Sequence, residues 1–274
     1  MNLENKVRII PHRIDNAAYS LSIDRALLRI MDSELTDHGK ADPILRTYQF
    51  SKPAVVMGYN QKVDGRFDEK LAASMNVDLT VRDTGGGHMY YGTKDIQFAF
   101  IAPSDFFEGG LIEKYQAVNS IVVEALKKCG YPARLGRTSI KLFNNNEKLV
   151  AGTAQRHASH AFLHHGAILV KPYSEEIFNL LCAREDEKAL WDEQVTCLDA
   201  IGDNNYSRIP ELISCYFPFF YIKELNKEEF FIVEELYEDV FNNKDKIYSG
   251  TKNGDLCLIA GERSTKNKEQ EVAL

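Results

Sequence analysis

Apolar residues recur along this chain with two different periods, and the changes from one to the other outline a mixed protein. Tyr19, Ile23, Ala26, Leu27, Ile30 and Met31 fall at helical spacing, with Asp15 placed to cap the helix they predict. Residues 45–50 and 54–58 are short β-prone runs split by Ser51, Lys52 and Pro53, which predicts a pair of strands joined by a turn. A helix is expected over residues 66–75, then strands over 77–82 and 97–102. That order leaves Gly85, Gly86 and Gly87 on a connection between strands.

In the second half, Tyr115, Val118, Val122, Ala125 and Leu126 mark one face of a long helix over residues 111–129, stopped by Gly130 and Pro132. Residues 140–143, 148–151 and 161–170 are β-prone, separated by the turn Asn144-Asn145-Asn146 and by a polar patch at 157–160. Helical segments follow at 175–183 and from Asn226, where Glu229 completes a capping box. Phe230, Val233, Tyr237, Val240 and Phe241 form the stripe the last helix should bury. No internal repeat and no Pro- or Ser-rich linker divides the pattern, so one large α/β domain is expected.

Composition narrows the function classes. The 274 residues carry 33 Lys and Arg against 40 Asp and Glu, a net charge of -7, which argues against a dedicated binder of nucleic acid or anionic membrane. The longest apolar runs, 98–102 and 167–170, fall far short of the roughly 18 to 20 residues a membrane helix needs. The first residues contain Glu4 and no continuous apolar stretch, so no secretory signal is expected. Five cysteines, odd in number and without C-x-x-C spacing, suit free thiols in a reducing, cytoplasmic setting.

Two segments carry candidate chemistry. In Val81-Arg82-Asp83-Thr84-Gly85-Gly86-Gly87-His88-Met89-Tyr90-Tyr91, successive glycines after a strand let backbone amides approach an anion, and Arg82 adds a planar charged fork. The same glycines also suit a strand-joining turn that needs positive φ, and their spacing matches neither the Walker loop nor the G-x-G-x-x-G fingerprint. In the second segment, Lys148 heads the small-residue run Leu149-Val150-Ala151-Gly152-Thr153-Ala154-Gln155-Arg156, and His164-His165-Gly166 follows on another run. A lysine so placed can stabilise growing negative charge, though most lysines are only solvated. The adjacent histidines point to opposite faces of a strand and do not read as a zinc site.

Taken together, R-x-T-G-G-G, a strand, a long helix, G-R, a hairpin, K-x-x-x-G-T-A-Q-R and H-H-G resemble the lipoate-protein ligase A family, within the superfamily that also holds biotin ligases and octanoyltransferases. Leu45-Arg46-Thr47-Tyr48 and Pro53-Ala54-Val55-Val56-Met57-Gly58 occupy their expected places. The resemblance implies mixed, largely antiparallel sheets flanked by helices, with a catalytic domain over residues 1–250 and a tail over 251–274 in place of a full accessory domain. It implies lipoate and ATP as substrates, Mg²⁺ as activating ion, and formation of lipoyl-AMP followed by transfer to a lysine of an acceptor lipoyl domain. Expected acceptors are the E2 subunits of 2-oxoacid dehydrogenases and the glycine cleavage H protein, with a separate accessory-domain protein as a further partner. Carried over by residue, Arg82, Gly87, His88, Met89 and Tyr90 hold the nucleotide. Lys148 serves as catalytic residue at both the α-phosphate and the acyl carboxylate, while Gly85, Gly86, His165 and Gly166 line the lipoate site. Val56, Met57, Phe98, Phe100 and Ile168 are candidates for an acyl tunnel.

The chain departs from that pattern in ways that bear on chemistry. The family's lysine sits three residues before the glycine, whereas Lys148 is four before Gly152, so a β-bulge is needed to aim it correctly and Lys141 is the fallback. Thr138-Ser139 replaces an Asn-Asp pair, removing a carboxylate that would help hold Mg²⁺. A cysteine-dependent octanoyl or lipoyl transferase is therefore the alternative, with Cys182 the thiol nearest a transferase position, and a non-catalytic lipoate binder is the third reading.

Overall fold

The structure is a computed structural model that describes residues 6–59, 61–63, 65–144, 146–202 and 205–241. The expected tail at 251–274, the domain limit at 250 and Cys257 all lie outside the described residues. In chain order the first elements are β1 (Val7–Asp15), α1 (Ala17–His38), β2 (Ile44–Phe50), β3 (Ala54–Met57), α2 (Glu69–Ser74), β4 (Asp78–Val81), β5 (Met89–Tyr91), β6 (Ile96–Pro103) and α3 (Leu111–Lys128). They are followed by β7 (Ala133–Leu135), β8 (Ser139–Asn144), β9 (Asn146–His157), β10 (Ala161–Ile168), α4 (Glu175–Leu180), α5 (Glu185–Gln194), α6 (Ile209–Ser214), β11 (Phe220–Ile222) and α7 (Lys227–Phe241).

Eight strands form one mixed sheet in the order β11-β1-β2-β6-β10-β9-β8-β7, and β4-β3-β5 form a second sheet. The mixed, largely antiparallel expectation holds: β1 runs parallel to both β11 and β2, and the pairings from β2 through β7 are antiparallel. One expected pairing does not form. β2 and β3 belong to different sheets, because Ser51-Lys52-Pro53 carries the chain across the gap between them instead of closing a hairpin.

Strand β6 shows how the layers are built. Phe98 and Phe100 join the cluster of Val118, Val122 and Leu126 from α3, while Ala99 and Ile101 point to the opposite face, among Ile23, Leu27 and Met31 of α1 and Val233 of α7. Such a strand is buried on both sides and reads as a continuous apolar run. The smaller sheet has its own core, where Val55 and Met57 pack with Phe178, Leu180 and Trp191.

Helix ends follow local chemistry. Asn16, not Asp15, caps α1, since its side chain accepts from the Tyr19 amide at 2.8 Å while Asp15 ends β1. The capping box of α7 forms as expected: the Asn226 amide donates to Glu229 at 2.7 Å and the Glu229 amide donates to Asn226 at 2.9 Å. Val233 is fully buried in the α7 stripe, but Phe230 is exposed, and the side chains of Val240 and Phe241 lie outside the described residues. No described helix is long and apolar enough to cross a membrane.

Candidate functional site

A cavity of about 1310 Å³ opens between the two sheets. Leu21, Tyr48, Phe50, Val56, Met89 and Tyr91 give it apolar walls, and the Gly85–Gly87 loop, Arg82, Gln155 and His165 bring polar groups to the same space. Helix α5 closes another side with Glu187, Trp191 and Gln194. An apolar chamber with a few converging polar groups suits a flexible molecule with one charged end.

The glycine loop is held from within. Arg82 is 8% exposed, and its Nη2 donates to the carbonyls of Gly85 and Gly87 at 2.7 and 2.8 Å. Its Nη1 donates to the Val56 carbonyl and its Nε to Thr84 Oγ1. Arg82 therefore acts on the loop's backbone, not as an open fork presented to a ligand. Gly86 takes φ 97°, the left-handed region where a side chain is strained. A Cβ on Gly58 would overlap the Gly86 carbonyl, so the loop's path depends on two glycines far apart in sequence.

Register sets the two candidate lysines apart. A bulge does interrupt β8 and β9, with Ile140 opposite Ala151 and Lys141 opposite Leu149, which leaves Val150 as the extra residue. Val150 and Ala151 both enter the core, and Leu149 takes the cavity-facing place three residues before Gly152. Lys148 falls on the other phase, where its Nζ donates to the Asp192 carbonyl at 2.6 Å in the last turn of α5. Lys148 is not among the residues lining the cavity, whereas Lys141 is.

The remaining candidates divide in the same way. Gly85, Gly86, Gly87, Met89, His165 and Gly166 line the cavity; His88 and Tyr90 do not. Along β5 the side chains alternate, so Met89 and Tyr91 face the cavity while Tyr90 turns to Tyr173. His88 is fully buried, and among the described residues neither ring nitrogen has a partner in hydrogen-bond geometry. Burial, helped by Arg66, pushes its pKa down to about 4. Of the expected tunnel residues, only Val56 lines the cavity, while Met57, Phe98, Phe100 and Ile168 are core.

None of the four described cysteines, Cys129, Cys182, Cys197 and Cys215, lines the cavity. Cys182 is exposed, and partial desolvation together with Asp68 raises its pKa, which disfavours the thiolate. The cavity carboxylates Glu147, Asp186 and Glu187 do not form a metal cage. Glu187 is bonded by Arg66, and among the described residues no group of three or more His, Cys, Asp or Glu stands together. Any Mg²⁺ here would rest mainly on substrate phosphates and water, as that ion commonly does.

One buried group gave no sign of itself in the sequence. Asp24, on α1, is 1% exposed and accepts from Arg46 Nη1 at 2.5 Å and from Tyr48 OH at 2.9 Å. His165 Nδ1 lies 3.0 Å from the same carboxylate. Burial alone would raise the pKa of Asp24, but Arg46, His165 and Tyr48 together hold it below the ordinary carboxylate value.

Comparison with known proteins places this geometry. The model of the lipoyl protein ligase A/B catalytic domain matches residues 16–211. The chain belongs to that family. Among curated family relatives, the chain is 25% identical to lipoate-protein ligase 1 of Staphylococcus aureus over 135 residues, covering 49% of this chain and 39% of the relative. It is 24% identical to the octanoyltransferase LipM of Oceanobacillus iheyensis over 274 aligned positions, covering 90% of this chain and 96% of that one. Solved family members share the fold. The bi-partite lipoate protein ligase of Thermoplasma acidophilum superposes with TM-score 0.76 at 21% identity, over 91% of this chain and 99% of that one. A lipoate-protein ligase A bound with ATP gives 0.74 at 21% identity, over 89% and 99%. Family membership covers ATP-dependent ligases and octanoyltransferases alike, so the choice between them falls to the residues in the cavity.

Proposed function

We propose that the protein is an ATP-dependent lipoate-protein ligase, with Lys141 in the role expected of Lys148. The observation that carries this reading is the pairing of Lys141 with an arginine-braced glycine loop around one cavity, in which no described cysteine takes part. In the first step a lipoate carboxylate oxygen attacks the α-phosphorus of ATP, the bond to the bridging oxygen breaks, and pyrophosphate leaves. Negative charge gathers on the α-phosphate oxygens, and a lysine ammonium at that point lowers the barrier because its attraction is greatest in the transition state. In the second step the ε-amine of an acceptor lysine attacks the acyl carbon, the bond to AMP breaks, and the amine gives up a proton as the amide forms.

The loop of Gly85, Gly86 and Gly87 supplies backbone to the nucleotide and the start of the acyl chain, with Arg82 fixing its shape from the cavity wall. Leu21, Phe50, Val56 and Tyr91 provide a wall for the apolar chain, and His165 and Gly166 border it. Gly166 has no room for a side chain, since a Cβ there would stand 2.6 Å from Thr153 Cγ2 and 2.8 Å from Phe98 Cζ. The acceptors in this reading are lipoyl domains of E2 subunits and the H protein, with an accessory-domain protein as a second partner.

The alternative reading, an ATP-independent octanoyltransferase, is favoured by the near-complete overlap with LipM of O. iheyensis. The two separate on supply of the acyl group. Purified protein should add a lipoyl mass to an acceptor lipoyl domain when given lipoate and Mg-ATP, and should add nothing from an octanoyl carrier protein without ATP. Transfer from the carrier without ATP would replace the ligase by the transferase, and neither product would leave a binding protein.

A further inference from the structure

A buried carboxylate is costly unless donors surround it. Asp24 sits on α1 beside Ile23, Ala26 and Leu27, where an apolar side chain would serve packing as well. Its donors instead come from two strands of the large sheet, Arg46 and Tyr48 on β2 and His165 on β10. From His165 the contacts continue into the small sheet's loop: Nε2 lies 2.7 Å from Thr84 Oγ1, and Arg82 Nε donates to that oxygen at 3.1 Å. Arg82 then holds the Gly85 and Gly87 carbonyls.

The direction of these bonds is set at one end. An ionised Asp24 can only accept, so His165 Nδ1 carries a proton; with that proton alone on the ring, Nε2 accepts from the Thr84 hydroxyl, whose oxygen accepts from Arg82. We propose that Asp24 is a positioning residue that fixes the tautomer of His165 and, through Thr84 and Arg82, the conformation of the glycine loop across the seam between the two sheets. The consequence for nucleotide affinity rests on the ligase reading, but the tautomer and the loop's order do not.

The test uses the full-length protein, with ¹⁵N-histidine NMR for the ring and hydrogen exchange for the amides of residues 84–88. The wild type should show His165 protonated at Nδ1 and bare at Nε2. Asp24→Asn should move the proton to Nε2 and speed exchange of the loop amides by about 10-fold or more, the equilibrium cost of one charge-assisted hydrogen bond. Thr84→Val should speed the same amides while leaving the tautomer as in wild type. In lipoate-dependent exchange assays both variants should raise the KM for ATP by about the same factor with kcat changed far less. An Nε2-protonated wild type, or an Asp24→Asn protein with unchanged tautomer and loop exchange, overturns the proposal. If Asp24→Asn does not fold, unchanged loop exchange in Thr84→Val overturns it. A wild type without lipoate-dependent turnover overturns the ligase reading and leaves the two spectroscopic outcomes to decide this one.

Discussion

Lys141 on β8 and Leu149 on β9 are direct cross-strand partners, and both line the cavity between the sheets. Opposed residues on neighbouring antiparallel strands share a face, so the position three residues before Gly152 and the position that carries a lysine lie side by side. In the ligase proposed here, the cation that the family pattern places on one strand comes from the strand next to it.

The glycine loop should be sensitive to a residue outside it. Gly58→Ala places a methyl group against the Gly86 carbonyl and should destabilise the fold by about 1–3 kcal/mol while displacing the loop. Gly85→Ala meets nothing within 4 Å and should unfold within about 0.5 kcal/mol of wild type. Urea denaturation of the two variants checks the contrast.

The chain's one tryptophan is a built-in reporter. Trp191 lines the cavity and stacks on Tyr173 with ring centroids 4.2 Å apart. Saturable change in intrinsic fluorescence should follow addition of lipoate or ATP, and the change should disappear in Trp191→Phe. Binding by calorimetry with no fluorescence response would place the ligand elsewhere.

Acid sensitivity should trace in part to His88. Its folded pKa of about 4 lies below the ordinary 6.5, so the folded state binds fewer protons and the stability it contributes is lost as pH falls through that window. Two to three pKa units correspond to about 3 kcal/mol. His88→Met should therefore narrow the stability difference between pH 7 and pH 4, measured by denaturant midpoints, and an unchanged difference would show that His88 does not titrate as described.

Cys182 separates the two reactions. It is exposed, held at φ 47°, and lies off the cavity lining, so Cys182→Ser should keep full acyl transfer to a lipoyl domain. Loss of transfer together with loss of a covalent acyl-enzyme would assign the thiol as nucleophile.

Much of this architecture can be read from periodicity, and the exceptions have physical causes. Helices α1 and α3 have apolar stripes and clear ends, and α7 has a clear start in its capping box. Helix α5 has only Ala189, Leu190 and Trp191 as apolar residues in ten, too few to make a stripe, although Trp191 is buried. Strand β1 is interrupted at Pro11, where the register with β2 shifts between Ile10 and Arg13, and its alternation is broken there. The cavity lining was legible at the glycine loop and at His165-Gly166, because those segments are contiguous. That Lys148 lies off the cavity lining was not legible, because a bulge alters which side chains share a face, and the order of residues does not say where the extra one is absorbed. Asp24 is silent for a different reason: its three partners come from strands at least 22 positions away, and a helical aspartate ordinarily faces water.

The most direct test of the central claim is lipoate-dependent exchange of pyrophosphate into ATP by wild type, Lys141→Ala and Lys148→Ala. The assignment of Lys141 predicts exchange by wild type, a loss of about 100-fold or more in Lys141→Ala, and near-normal exchange in Lys148→Ala. Full exchange by Lys141→Ala, with loss in Lys148→Ala instead, would contradict it.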